Sequence, residues 1–387
     1  MTALVRNQLI PLLNATHAND DPNLGLLIQR GLRVWDSTDK AKADKKDLID
    51  VITNLKPSDL YQLAFDRWLL QTQQKQNFAA LPATIDGRLM TGLALGGTLE
   101  TGVTTQHSYG MPMLAGSSVK GAVRAYAENL FSQKDADGKV ILDEKGKTQI
   151  DVAMMPILDT LFGADEDAEA NAGYLVWHDA WYIPALTKEG KYSSAEEAKP
   201  FVGEIVTVHH QKYYAGQSNE ALDMESPVPN QQLAVQGSFY FVIEGANQQW
   251  LDFAKQLLEN MLNQFGIGAK GTSGYGYFKP ASDLESLTTS LKKRFVSLQS
   301  ESVDTTDDPY AKLRLQISSM VASDLVESLS KNLNKFLKSL DLTKENEEHC
   351  KALADITWAE HESLVMSWSG QSGNKEKAFK FIHKFKS

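Results

Sequence analysis

The chain has 387 residues, with 49 Asp and Glu against 39 Lys and Arg, and a formal net charge of −10. Its length leaves ample core for one large domain or two smaller ones, and its ordinary apolar and charged fractions exclude wholesale disorder. The acidity excludes non-specific coating of nucleic acid but not binding through one basic face.

Leu24 to Trp35 and Leu60 to Leu70 place apolar residues at helical spacing, so residues 1 to about 80 read as helical. The start, MTALVRNQLIPLLNATHAND, is interrupted by Pro11 and too short in apolar run for a signal peptide or a membrane span. The mixed-charge stretch Asp36 to Asp47 reads as a solvated loop or helix face rather than an RNA contact. Leu89 to Leu99 suits a strand, and Ser117 to Phe131 suits a helix capped by Ser117 or Ser118. Two glycine turn signals make Ser132 to Gln149 an exposed hairpin or loop insertion. Gly173 to Pro184 and Gln231 to Glu244 are aromatic and β-branched enough for two more strands. Gln248 to Phe265 is an amphipathic helix with Gly266 as C-cap, and Tyr275 to Pro280 completes a fourth strand.

Two β-α-β units in this order make a ferredoxin-like, split βαβ core. Beyond about Leu284 the pattern is helical again, and the end, GNKEKAFKFIHKFKS, carries five lysines against one glutamate. A packed helical bundle accounts for it better than an RNA-binding tail. The lone cysteine, Cys350, excludes an internal disulfide or a thiolate zinc cluster, and fits a reducing cytoplasm. The fold class is therefore α+β, divided into an N-terminal helical segment (1–82), a core with loop insertions (83–282) and a C-terminal helical extension (283–387).

Three segments carry chemistry. In AGSSVKGAVR, Lys120 and Arg124 lie four residues apart on one helix face, beside an N-terminus whose N–H groups favour an anion. With Ser117 and Ser118 they form a candidate phosphate seat. The second segment, Phe265 to Phe278, reads FGIGAKGTSGYGYF and looks built to join that seat. Its Gly266-x-Gly268-x-x-Gly271 matches a dinucleotide fingerprint in letters only, because a helix precedes it and a strand follows. It reads as a close-approach loop, with Gly268, Lys270, Ser273 and Tyr275 as candidate contacts, or as a plain tight turn. GSSVKG is no Walker motif either, since its serines precede the lysine.

The third segment, VTVHHQKYYAGQ, places His209, His210, Lys212, Tyr213 and Tyr214 together, donors and stacking rings suited to single-stranded RNA. Neighbouring histidines on extended backbone face opposite ways, so metal binding with Glu204 or Asp223 is the weaker reading, and no cofactor is expected. His107, in the loop before the seat, is the best general base for a nuclease, yet no second partner of the right type is legible.

Together YGMPMLAGSSVKGAVR (Tyr109 to Arg124), GIGAKGTSGYG (Gly266 to Gly276) and HHQKYY followed by SPVPNQQLAV resemble the RAMP superfamily of CRISPR effector proteins. The last segment narrows the resemblance to the sixth RAMP subunit of the type III-B, or Cmr, complex. The likeness covers roughly residues 85 to 280. It implies a ferredoxin-like (RRM-like) core in an RNA-guided complex. The subunit would be non-catalytic and lie toward the 3′ end of the CRISPR RNA, beside target RNA, other RAMP subunits and the small helical subunit, with no membrane partner. The related backbone subunits cleave with an aspartate in the loop after the first strand, and TGVTTQHSYG has none. The family's glycine loop runs from lysine directly into threonine or serine, whereas here Gly271 intervenes. The competing expectation is a RAMP-type endoribonuclease that processes precursor CRISPR RNA with His107 or His210 as base.

Overall fold

A computed structural model of the chain describes residues 2–3, 6, 22–35, 39–74, 76–93, 101–144, 146–164, 170–193, 199–208, 210–221, 228–302 and 310–386. The chain divides into two compact units, Met1–Thr288 and Thr289–Ser387.

The first unit opens with three helices, α1 (Leu24–Arg30), α2 (Asp39–Asn54) and α3 (Asp59–Thr72). It also has a short antiparallel pair, Thr2–Ala3 with Val34–Trp35, so the helical reading of Leu24 to Trp35 holds only to Arg30. Side-chain caps start two of them: Asn23 accepts from the Leu26 N–H at 3.0 Å and Ser58 from the Tyr61 N–H at 3.2 Å. Next come β1 (Phe78–Thr84), β2 (Met113–Leu114), α4 (Gly116–Leu130) and α5 (Met155–Phe162). Strands β3 (Val176–Trp177) and β4 (Ala180–Ile183) follow, then β5 (Phe201–Val208), β6 (Val228–Val235) and β7 (Ser238–Glu244). Helix α6 (Gln248–Gln264) closes the set, capped by Asn247 accepting from the Trp250 N–H at 3.1 Å.

The central sheet is antiparallel, in the order β1-β7-β4-β2, with β3 also on β7. Beyond β1 the segment containing Phe278 adds a single antiparallel bridge to Ile85. That order is the one a ferredoxin-like chain produces, its fourth strand reduced here to one bridge. Phe239, Phe241 and Ile243 point into the core shared with Leu251, Leu258 and Met261 of α6 and Val123 and Ala127 of α4. The protein is α+β, with helical segments before and after this core.

Four strand boundaries differ from the sequence reading. Gly173 to Pro184 is two strands, β3 and β4, parted at His178 and Asp179. The first strand is Phe78–Thr84; of Leu89 to Leu99, only Leu89 and Met90 form isolated bridges, to Val235 and Ala269, and residues 94–99 fall outside the described set. Gln231 to Glu244 is not one strand: Gly237, at φ +101° and pressed against the Tyr182 ring, turns β6 into β7. Tyr275 to Pro280 is a loop with one bridge: its bonds to Thr84 and Asp86 flank Ile85 and make that bridge, and the N–H groups of Tyr275, Gly276 and Phe278 donate to Lys270, Arg88 and Leu262. The Ser132 to Gln149 insertion carries the isolated bridges of a hairpin, such as Leu142 with Thr148.

The second unit is helical. It begins within α7 (Glu285–Ser302) and continues through α8 (Ala311–Ser319), α9 (Ala322–Ser330), α10 (Leu333–Lys338), α11 (Glu347–Met366) and α12 (Asn374–Phe385). Its own core gathers Leu313, Ile317, Leu325, Leu353, Trp368 and Ile382. The basic end of the chain is helix α12, whose Ala378 and Ile382 are buried there. Among the described residues no helix is long and apolar enough to cross a membrane.

Candidate nucleic-acid interface

The glycine loop is a tight stem with a free tip. After α6, the Ile267 N–H donates to Gly276 O (2.9 Å), the Gly276 N–H to Arg88 O (2.8 Å) and the Ala269 N–H to Met90 O (2.8 Å). At Gly268 (φ +101°) a Cβ would lie 2.5 Å from Met90 O, and at Gly276 (φ +82°) 2.0 Å from Ile267 O. Only glycine fits either position. From Lys270 to Gly274 the packing ends: Lys270, Thr272, Ser273 and Gly274 are exposed around a single 3₁₀ turn, Gly271–Ser273. Lys270 itself is left-handed, at φ +61°. So the tight-turn reading describes the stem, and the cationic-loop reading has its place at the tip.

Two further elements meet the loop. The turn after β1 brings Arg88 beside Tyr275, and β5 brings Glu204. Burial, then the Glu204 carboxylate, push the Tyr275 phenol above its ordinary range, and the Arg88 guanidinium partly offsets them. Strands β5 and β6 form a separate two-stranded ribbon over eight residue pairs. Its base is tied in by reciprocal bonds between Leu89 and Val235, and Lys45 Nζ of α2 donates to Asn230 Oδ1 at 3.0 Å. Beyond the ribbon stands the short helical turn Gln211–Tyr214, entered by His210 at φ +59°. Tyr213 and Tyr214 are 44% and 76% exposed and meet edge to face at 5.5 Å. His209 lies outside the described residues. The cation Arg88 escaped the sequence reading, although the Asp86-Gly87 pair beside it is a turn signal.

Helix α4 does not begin as expected. It starts at Gly116, with Ala115 as cap and no side-chain capping bond; Ser117 and Ser118 sit inside the first turn, exposed. The Gly116 N–H donates instead to Asp179 Oδ1 at 2.7 Å. A carboxylate 63 positions away in sequence thus takes part of the anion preference of this helix start. Arg124 pairs with Glu128 at 2.8 Å, and Lys120 is half-buried.

Tyr126 of the same helix meets Phe265, the first residue of the glycine-loop segment, edge to face at 5.0 Å. The start of the helix and the bridge at Ile85, by contrast, lie at different levels of the sheet. Gly116 packs on the Trp177 carbonyl, and Trp177 opposes Ile243; the loop lies by Ile85, next to Thr84, which opposes Ser238. Five residues of β7 separate those levels, about 17 Å at the rise of a strand.

The outer face of the sheet, the RNA platform of an RNA-recognition module, is covered by α3. Tyr61 and Trp68 stack on Trp181 at 6.0 Å each, and Phe65 meets Tyr240 at 5.9 Å. The Tyr61 hydroxyl donates to Tyr182 O at 2.7 Å, and burial raises its pKa well above the ordinary phenol range. His107 is exposed in a turn whose His107 and Ser108 carbonyls accept from Asn23 Nδ2, both at 3.1 Å. Among the described residues no group of three His, Cys, Asp or Glu side chains is placed to hold a metal.

An antiparallel α+β core with a glycine-stemmed cationic loop after its second sheet-packed helix defines a class of protein. The chain belongs to the RAMP superfamily, whose model matches residues 84–279. Among solved structures it is similar to a chain of the type III-B Cmr-beta complex bound to cognate target RNA: 18% identity, 64% of this chain, 76% of that one, TM-score 0.42. It is also similar to Cmr6 from Pyrococcus furiosus: 22% identity, 52% of this chain, 98% of that one, TM-score 0.31. A chain of a CRISPR RNA-guided surveillance complex shares 14% identity over 52% of this chain and 66% of its own, at TM-score 0.30. No curated protein matches the chain.

Proposed function

We propose that this RAMP protein is a non-catalytic, RNA-binding structural subunit of a type III-B CRISPR effector complex, most like its sixth RAMP subunit. It holds the 3′ region of the CRISPR RNA, alongside target RNA, neighbouring RAMP subunits and the small helical subunit. The observation that carries this reading is the exposed tip Lys270–Gly274, rigidly stemmed by glycine and flanked by Arg88 and Tyr275. Lys270 and Arg88 neutralise guide phosphates, and Ser273 donates a hydrogen bond to them. Tyr213 and Tyr214, with His209 and His210, offer rings and donors to an unpaired base or RNA end. Gly268 contributes by letting the backbone turn close. Ser117, Ser118, Lys120 and Arg124 form a second, weaker phosphate contact, since Asp179 and Glu128 already draw on that helix's donors and charge.

The test is retention of guide RNA by the complex assembled with the other subunits. Lys270→Ala with Arg88→Ala lowers it about tenfold or more, and undiminished retention sinks the assignment. Incubating the purified chain with repeat RNA in chelator addresses the nuclease alternative. Specific cleavage abolished by His107→Ala or His210→Ala would replace the structural role with a catalytic one.

A further inference from the structure

We infer that the C-terminal unit carries an anion site of its own, a basic groove that takes a phosphorylated nucleoside, either free or as one residue of an RNA strand. It shares no residue with the interface above and does not rest on that reading. The groove, about 620 Å³, lies between α7, α8, the start of α9 and the residues after α10. That volume is in the range of small-ligand sites.

Its charge is the first argument. Among the described residues, Lys292 and Lys293 of α7 and Lys312 of α8 line it with one carboxylate, Asp324. Lys292 and Lys312 by themselves outnumber that described carboxylate, in a molecule whose formal charge is −10. Asp324 has a structural reason to be there, since it stands in the first turn of α9, where the helix favours a negative charge. The lysines gain nothing comparable from helix ends. A concave site with one sign of charge concentrates ligands of the other.

The walls are the second argument. Val296, Met320 and Leu340 provide apolar surface beside the ammonium groups, and Gln316 adds a donor and an acceptor. Lys292 and Val296, like Lys312 and Gln316, are four residues apart, so each helix presents a cation and a wall residue on one face. An inorganic anion would use only the charges. A nucleotide uses both, with its phosphate on the lysines and its base on Met320 and Leu340.

The experiment uses the full chain carrying Lys270→Ala, so that the glycine-loop interface is weakened in every arm. Binding of AMP is followed by calorimetry and that of a single-stranded oligouridylate by fluorescence anisotropy, before and after adding Lys292→Ala with Lys312→Ala. The double substitution weakens the bound probe about tenfold while the melting temperature holds. If it lowers the melting temperature, Lys312→Gln, which keeps most of the stem, gives the same reading. Oligouridylate binding at least tenfold tighter than AMP assigns the groove to an RNA strand; equal affinity assigns it to a free nucleotide. The inference is overturned if neither probe binds, or if the double substitution leaves binding unchanged. Guide retention that depends on Lys270, beside AMP and oligouridylate binding that Lys292→Ala with Lys312→Ala leaves unchanged, leaves the proposed function standing and removes this site alone.

Discussion

Lys270 occupies a backbone conformation that costs a side-chain-bearing residue about 1–2 kcal/mol, at the exposed apex of a loop otherwise built on glycine. A residue kept there for backbone reasons alone would be glycine. Lys270→Gly is therefore expected to leave the melting temperature unchanged or slightly higher while weakening RNA binding about five- to tenfold, read by thermal denaturation and anisotropy together. Gly268→Ala separates the effects in the other direction. Its methyl group would meet Met90 O at 2.5 Å with φ at +101°, and we expect a loss of about 2–4 kcal/mol in urea unfolding. At this scale the sequence is informative where the side chain and its neighbours act together: the run of glycines around Lys270 is by itself the mark of a close turn. It is uninformative about Asp179, whose bond to the Gly116 N–H joins residues 63 apart through the sheet.

The elements show the same division. Helix α6 and strand β7 are legible, one from apolar spacing, the other from the alternation of Phe239, Phe241 and Ile243 with Tyr240 and Val242. Strand β1 is not. Its sequence FAALPAT has three alanines and a proline, and only its place at the sheet edge, where a missing N–H is tolerated, makes Pro82 admissible. The Tyr275 to Pro280 segment errs the other way, since its aromatics suit a strand while its backbone is claimed by the turn at Arg88. Helix α3 decides the function of the sheet, because covering Trp181 and Tyr240 removes the aromatic platform. Tyr61→Phe deletes the bond to Tyr182 O and is expected to cost about 1 kcal/mol without changing RNA affinity. Weakened RNA binding in that variant would put the ligand on the sheet after all. Asp179→Ala is expected to cost about 0.5–2 kcal/mol as a lost helix cap, with RNA retention unchanged or improved. A drop in retention would mean that the carboxylate helps to shape the site.

For the whole molecule, charge sets the terms. A formal charge of −10 confines binding to local clusters, of which the Arg88–Lys270 loop and the weaker Lys120–Arg124 helix face lie within the residues matched to the RAMP family. A chain using about three phosphate contacts should show log K falling with log salt at a slope of about −2 on single-stranded RNA; a slope near zero would exclude a phosphate-led mode. If the glycine-loop tip holds guide RNA, as proposed, guide retention in the assembled complex depends on its two cations. A small RNA is expected to co-purify with the wild-type complex and to be lost about tenfold or more when Lys270→Ala is combined with Arg88→Ala. A complex that keeps its full complement of guide RNA with both cations removed would contradict it.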